Sequence, residues 1–414
     1  MHRGCEPRPA RGPRRRRAAR HRRAAARGER RGAAAGGRAA EPGGPAVNEG
    51  AAHGWHEALL YERLDGGRVE CRVCPRRCRI APGQAGVCRA RVNLDGRLYA
   101  ITYGRVCSVA ADPIEKKPLF HFFPGSTVLS LGSVGCTFAC RHCQNWQIAH
   151  ADAREAVRDL RELPVRNLPV LARNNGCQGV AWTYNEPTIW LEYILDGARL
   201  AHEHGLYTVM VTNGYITPEA LDLLGPHLDA YRVDVKGFSE DQYRELCRIR
   251  DFRPVLEAAV RAQERHGCHV EVVTNVIPTF NDDDATLGAI AAWIAAELGP
   301  QTPWHVTRFI PYLEFSHLRP TPVATLERAV DIGRRAGLQF VYVGNVPGHE
   351  GENTVCPNCH RVIVRRTGYA VEDVALRGTL CALCGQNVNV RTTVKPPAPG
   401  AAGPHGGAGE QEPG

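Results

Sequence analysis

The sequence predicts an α/β fold built on a parallel sheet, open or curled into a full or partial (β/α) barrel, with a cysteine-rich segment on either side. Three observations carry that expectation. From Thr127 onward, short β-rich runs alternate with longer amphipathic ones, the pattern of repeated βα units. Nearly every short run ends in polar or special residues. The sixteen cysteines fall largely into three tight groups instead of being spread like disulfide partners.

The first element, residues 1–55, is an Arg/Ala-rich extension. Residues 1–40 hold fourteen arginines against Glu6 and Glu29, an excess larger than the +9 of the whole chain, so the remainder is mildly acidic. Almost no large apolar residue interrupts Arg14–Arg17, Arg22 and Arg23, so this stretch cannot bury a core and is expected to be disordered. No aromatic residue interleaves the charges as a base-stacking platform requires, so nucleic acid is not an expected partner. No apolar segment follows the arginines, so a secretory signal is not expected either. Clustered thiols in a chain without such a signal point to the reducing cytoplasm and to metal ligation.

Ordered sequence is expected from His56, where Ala58, Leu59, Leu60 and Tyr61 begin a short helical pattern. Residues 56–110 carry the first group, Cys71-x2-Cys74-x3-Cys78-x9-Cys88, with Pro75, Pro82, Gly83 and Gly86 supplying turns. Four thiolates this close bind a metal. Spacing does not separate zinc from an iron–sulfur cluster, and a small irregular segment in need of a staple favours zinc. An electron relay or a grip on substrate is the functional alternative.

Residues 111–350 hold the regular part. Strands are expected at Val128–Val134, Val180–Tyr184, Thr208–Thr212, Ala230–Val235, Val270–Val276, Val306–Ile310 and Phe340–Val343. Thr217-Pro218 and Thr321-Pro322 each offer an N-cap followed by Pro at the first helical position, and Asn281–Asp284 a cap with acids for the helix through Trp293. Ala289–Leu298 is too short to span a bilayer. The strand ends read Gly135-Cys136, Asn185-Glu186, Asn213-Gly214, Asp234 with Lys236, Asn275, Arg308 and Asn345. In such folds these ends converge on one rim, where binding and chemistry are placed. Residues 351–394 then carry Cys356-x2-Cys359 and Cys381-x2-Cys384, the paired knuckles of a zinc-ribbon-like module. A Pro/Gly-rich tail, 395–414, is expected to be disordered. Cys5, Cys107, Cys177, Cys247 and Cys268 lie outside the groups and read as ordinary free or buried cysteines.

The central motif is Cys136-x3-Cys140-x2-Cys143, directly after the first strand of the alternating region. Three thiolates at these spacings can each hold one corner of a [4Fe–4S] cluster, which normally takes four; the missing ligand leaves one iron open. A zinc site completed by His142 is the alternative.

In that position the motif resembles the radical SAM superfamily. The resemblance implies a partial (β/α) barrel of the TIM-like kind, a [4Fe–4S] cluster on Cys136, Cys140 and Cys143, and S-adenosylmethionine (SAM) chelated by the open iron. It also implies reductive cleavage of SAM to a 5′-deoxyadenosyl radical that abstracts hydrogen, with ferredoxin or flavodoxin as electron donor. Glu186, with Asn185 beside it, stands where the superfamily accepts the SAM amino group. Thr212-Asn213-Gly214 and Asp234-Val235-Lys236 are similar to the third- and fourth-strand motifs of glycyl-radical-activating enzymes, where the lysine meets the SAM carboxylate.

Arg79–Gly83, Asp112–Pro118, Cys143–Trp146, Tyr184–Pro187 and Gly344–Asn353 resemble more closely the AmmeMemoRadiSam radical SAM enzymes, over about residues 57–390. That subfamily implies MEMO-like and AMMECR1-like partners. Two positions depart from pattern: His142 replaces an aromatic residue, for which a stacked imidazole can substitute, and Val211 replaces an acid that activases use beside Thr212. The competing expectations are a glycyl-radical-enzyme activase of the pyruvate formate-lyase type and a non-catalytic zinc protein with a basic nucleic-acid-binding arm. Trp146, His305, Arg308, Tyr312 and His317 are candidates for a substrate pocket.

Overall fold

The computed structural model describes residues 55–396. The Arg-rich expectation for 1–54, Cys5 and the tail beyond 396 lie outside the described residues. The centre is an eight-stranded sheet of β1 (Ser108–Pro113), β2 (Thr127–Gly132), β3 (Gly179–Trp182), β4 (Tyr207–Thr212), β5 (Ala230–Asp234), β6 (His269–Val276), β7 (Trp304–Arg308) and β8 (Val341–Gly344). The strands lie side by side in chain order. β2 to β8 pair in parallel, and β1 adds antiparallel to β2. β1 and β8 are the two edges, so the sheet is open. All seven expected strands are present, within a few residues of their expected bounds.

Helices cross between successive parallel strands: α1 (Leu168–Asn174), α2 (Leu191–Glu203), α3 (Pro218–Leu224), α4 (Glu240–Cys247), α5 (Arg253–Glu264), α6 (Asp284–Trp293) and α7 (Val323–Arg335). Their apolar faces meet a strand layer that is buried almost throughout. Trp182, Trp190, Tyr193, Tyr231, Trp304 and Phe309 are among the fully buried side chains. Local chemistry starts the helices. The Thr217 hydroxyl accepts from Ala220 N at 3.3 Å with Pro218 at the first helical position, and Ser239 caps α4 through Gln242 N.

Two local expectations are corrected. His56–Tyr61 is not helical. His56–Glu57 pairs with Arg97–Ala100 and Tyr61–Arg63 with Val69–Cys71, because Ala58 N and Leu59 N find long-range acceptors in Leu98 O and Glu192 Oε1. Pro322 is the N-cap of α7, not its first turn; the Thr321 hydroxyl donates to Val276 O at 2.6 Å and accepts from Phe309 N, tying two strand ends together. Within the expected Asn281–Asp284 stretch it is Asp283 that caps α6, through Thr286 N, while Asn281 bridges Ile277 N, Asn275 O and Lys236 O.

The N-terminal segment forms two small antiparallel sheets, and β1 straddles the expected boundary at residue 110. The segment is keyed to the main sheet's helices by a buried bidentate pair, Arg91 to Glu192 on α2, at 3.0 and 2.8 Å. At the far end, a module with strands Thr354–Val355, Val362–Thr367 and Ala370–Val374 packs on Phe120, Phe340 and Tyr342. Arg366 fastens it by donating to Phe120 O and Thr354 Oγ1, both at 2.8 Å. Lys395, expected to open a disordered tail, is docked: its Nζ donates to His266 O at 2.6 Å and its N to Asp229 Oδ1 at 2.7 Å.

Candidate active site and metal centres

The loop after β2 leaves the sheet through Gly135, whose φ of +96° suits glycine, and carries Cys136, Cys140 and Cys143 over the C-terminal ends of the strands. Two neighbours hold it. Asn185, after β3, accepts from Ser133 N and donates to Gly135 O, each at 3.0 Å. The end of α4 supplies carbonyls: Arg141 N donates to Leu246 O at 3.0 Å and Ala139 N to Cys247 O at 3.3 Å. Cys247, read from sequence as an ordinary cysteine, is fully buried against Cys140, and a thiol hydrogen bond between them holds Cys140 below the usual thiol range. Burial has the opposite effect on Cys136, whose thiol is pushed well up. No local signal marks Cys247; its place follows from how α4 docks.

The strand-end residues converge on this loop. Glu186 is 2% exposed, and its carboxylate knits two strand ends: Oε1 accepts from Thr188 N at 2.9 Å and Thr212 Oγ1 at 2.6 Å, Oε2 from Asn213 N at 2.8 Å. Three donors on a group with about four lone-pair sites leave one acceptor position, on Oε2. Burial raises the Glu186 carboxyl against the pull of those hydrogen bonds. Asn213 Nδ2 reaches Cys136 Sγ at 3.7 Å and Thr137 Oγ1 at 3.0 Å. On β5 and just beyond it, Lys236 Nζ lies 2.9 Å from Asp234 Oδ2, and Arg232 pairs with the same carboxylate. Burial acts to lower the Lys236 ammonium, but Asp234 outweighs it and the group stays charged well above its ordinary range.

His142 is 6% exposed and stacks on Phe315, ring centroids 6.0 Å apart at 27°; Phe315 stacks in turn on Phe280. Burial lowers the His142 ring to about 3, so it is neutral. Its Nδ1 is buried with no protein partner. Of the pocket candidates, Trp146 and His317 are exposed, Arg308 binds Thr321 O, and Tyr312 is half-buried. His305 is not a pocket residue. It lies near the start of β7, at the opposite end from the cluster loop. There its Nε2 meets Glu271 Oε2 at 2.6 Å against Phe120, because inward-facing positions at that end are filled by the packing of the C-terminal module.

The two four-cysteine groups differ. Cys356 Sγ and Cys384 Sγ are 3.6 Å apart, Cys359 Sγ and Cys381 Sγ 3.9 Å, and all four sulfurs lie within 4.8 Å of one another. Tetrahedral zinc with Zn–S near 2.3 Å puts its sulfurs about 3.8 Å apart, so this set fits a zinc ion. Among the described residues no other group of three or more His, Cys, Asp or Glu ligand atoms is so closed. Cys71, Cys74, Cys78 and Cys88 instead line a small cavity, with about 20 Å³ open to the centre of a water-sized sphere, together with Arg91, Thr137, Thr188 and Ile189.

The radical SAM superfamily model matches residues 131–287, from the end of β2 into α6. An uncharacterized protein of Methanocaldococcus jannaschii is 42% identical over 336 residues, 81% of this chain and 99% of the relative. The pyruvate formate-lyase-activating enzyme of Clostridium pasteurianum is 26% identical over 160 residues, 38% of this chain and 65% of that enzyme. A solved radical SAM methyltransferase from Sphaerobacter thermophilus is similar with a TM-score of 0.43 and 17% identity, over 56% of this chain and 71% of that one. With the three-cysteine loop inside the matched segment, residues 131–287 form a radical SAM superfamily domain.

Proposed function

We propose that the chain is a radical SAM enzyme whose Cys136, Cys140 and Cys143 hold a [4Fe–4S] cluster and whose strand-end residues bind SAM. The carrying observation is the convergence of Asn185, Glu186 and Asn213 on the three-cysteine loop, which a zinc staple would not require. The donor set fits the group: three thiolates on one loop, a sulfur-directed amide from Asn213, and an unpartnered His142 Nδ1 beside the cysteines. When bound, the cluster supplies the electron that opens the SAM sulfonium to a 5′-deoxyadenosyl radical, which takes hydrogen from substrate.

The protein's own contribution is placement. Asn185 fixes where the loop leaves the sheet. Glu186 offers its remaining Oε2 position to an ammonium, and Lys236, kept charged by Asp234, offers a cation to a carboxylate; together these suit the two ends of an amino acid. The stacked His142 and Phe315 rings give a flat apolar wall. The open sheet serves as a partial (β/α) barrel with its rim as the working face. The C-terminal quartet serves as a structural zinc site.

The shared segments favour the AmmeMemoRadiSam type, with MEMO-like and AMMECR1-like partners, a ferredoxin or flavodoxin donor and a cytoplasmic setting. Among the described residues no helix is long and apolar enough to cross a membrane. Val211, where activases carry an acid, disfavours a strict glycyl-radical activase. The test is anaerobic: reconstitute with iron and sulfide, reduce with dithionite, add SAM and quantify 5′-deoxyadenosine. Wild type should form it, and a Cys136/Cys140/Cys143→Ala variant should retain less than about one-hundredth of that rate. Wild type with no product and zinc at every cysteine group would overturn the reading.

A further inference from the structure

The N-terminal quartet is built around a space, not a point. Its four cysteines lie on a strand end and the turns that follow. Cys71 N donates to Cys78 O at 2.9 Å, and Arg77, with φ +44°, returns its N–H to Cys74 O. The cavity they line is closed on the far side by Thr188 and Arg91, which are 0% and 1% exposed. Thr188 Oγ1 and Arg91 Nε have no hydrogen-bond partner. Two buried polar groups left unpaired at one cavity wall are costly unless something fills the cavity. A single zinc would draw the sulfurs together as at Cys356–Cys384, and here they stand apart. A cubane cluster is a larger body with one thiolate at each corner, and four cysteines around a cavity match it.

The neighbourhood says what such a cluster would do. Four thiolates occupy all four irons, so no iron is open to a substrate or to SAM; electron transfer is the chemistry that remains. The cavity abuts the three-cysteine loop. A Cβ on Gly135, the residue before Cys136, would sit 2.5 Å from Cys88 O. Thr137, the residue after Cys136, lines the cavity itself, accepts from Arg76 Nε through its carbonyl at 2.6 Å, and bonds Asn213.

We propose that Cys71, Cys74, Cys78 and Cys88 hold a second [4Fe–4S] cluster, which relays electrons to the cluster site at Cys136, Cys140 and Cys143. The relay rests on the proposed function for its acceptor; occupancy of the site does not. A low-potential one-electron protein donor is oxidised by one electron and the second cluster reduced by one. That electron then passes to the neighbouring site and the second cluster regains its starting charge, with no bond made or broken.

Iron, sulfide and zinc content and electron paramagnetic resonance of the anaerobically reconstituted full chain test this. Wild type should hold about eight irons and one zinc, and the Cys136/Cys140/Cys143→Ala variant about four irons with its brown colour retained. That variant leaves the N-terminal segment intact, so the result does not depend on disturbing it. Four irons in wild type falling to none in the variant, with two zincs in both, would overturn the second cluster while leaving the proposed function standing. Four irons in both would sustain the second cluster and defeat the proposed function. For the relay, dithionite-reduced wild type should give a spectrum broader than the sum of the spectra of the triple variant and a Cys74/Cys78→Ala variant, because two paramagnets lie side by side. A simple sum, or an N-terminal cluster that stays oxidised, would overturn the relay.

Discussion

The N-terminal and C-terminal quartets both open with Cys-x2-Cys, yet one surrounds a cavity and the other has closed on itself. The closed set sits on a partly exposed hairpin module that meets the main sheet near the start of β7, far along the strands from the rim. The wide set is wedged between α2 and the cluster loop, roofed by a buried Arg91–Glu192 pair. Ligand spacing along a chain does not decide what is bound. Where the surrounding structure holds the sulfurs decides it, and with it whether a site staples a fold or serves the chemistry beside it.

Breaking the roof should separate the two quartets most sharply. Arg91→Met leaves Glu192 buried without its partner, a loss of about 3–5 kcal/mol. Iron held by Cys71–Cys88 should fall well before zinc does, with a lower Tm by calorimetry. Equal loss of both metals would erase the distinction between the sites.

Cys381→Ser should release the C-terminal metal and melt that module, since the site's binding energy is also its folding energy. Iron content and deoxyadenosine yield per folded molecule should stay near wild type; a parallel loss of iron would show that the two ends are coupled.

Gly135→Ala tests the contact between the two rim groups. Its φ of +96° and the 2.5 Å approach to Cys88 O make a cost of about 1–3 kcal/mol expected. Both rim sites should lose iron affinity together. Iron lost at one rim site alone would mean that they are mechanically independent.

The smallest effect concerns the seam under the C-terminal module. His121 bonds Val388 O and Tyr342 Oη, beside Glu271, His269 and Arg366, and burial holds its ring down at about 3 against an ordinary 6.5. The unfolded chain therefore takes up this proton first as pH falls. Stability is full above pH 6.5 and declines from there toward pH 3, by at most about 1.4 kcal/mol per unit for this one group. His121→Gln should flatten the slope of Tm with pH over that window while leaving the rim iron untouched. An unchanged slope would remove His121 from the account.

The sequence by itself determined the seven parallel strands, their order of helices, the three-cysteine loop and the polar residues at the strand ends. Each is a local pattern: alternation, a cap, a turn residue or a short spacing. Tertiary structure decided what local pattern cannot carry. His56–Tyr61 has a helical look but becomes strand because its backbone finds partners at Leu98 and Glu192. Cys247 has no motif around it and backs the cluster loop only because α4 docks there. His305 lies on the right strand but at the wrong end. The openness of the first quartet depends on Arg91, Thr137 and Thr188, residues from three separate parts of the chain. Spacing is a property of one segment, whereas the distance between sulfurs is set by everything packed around them.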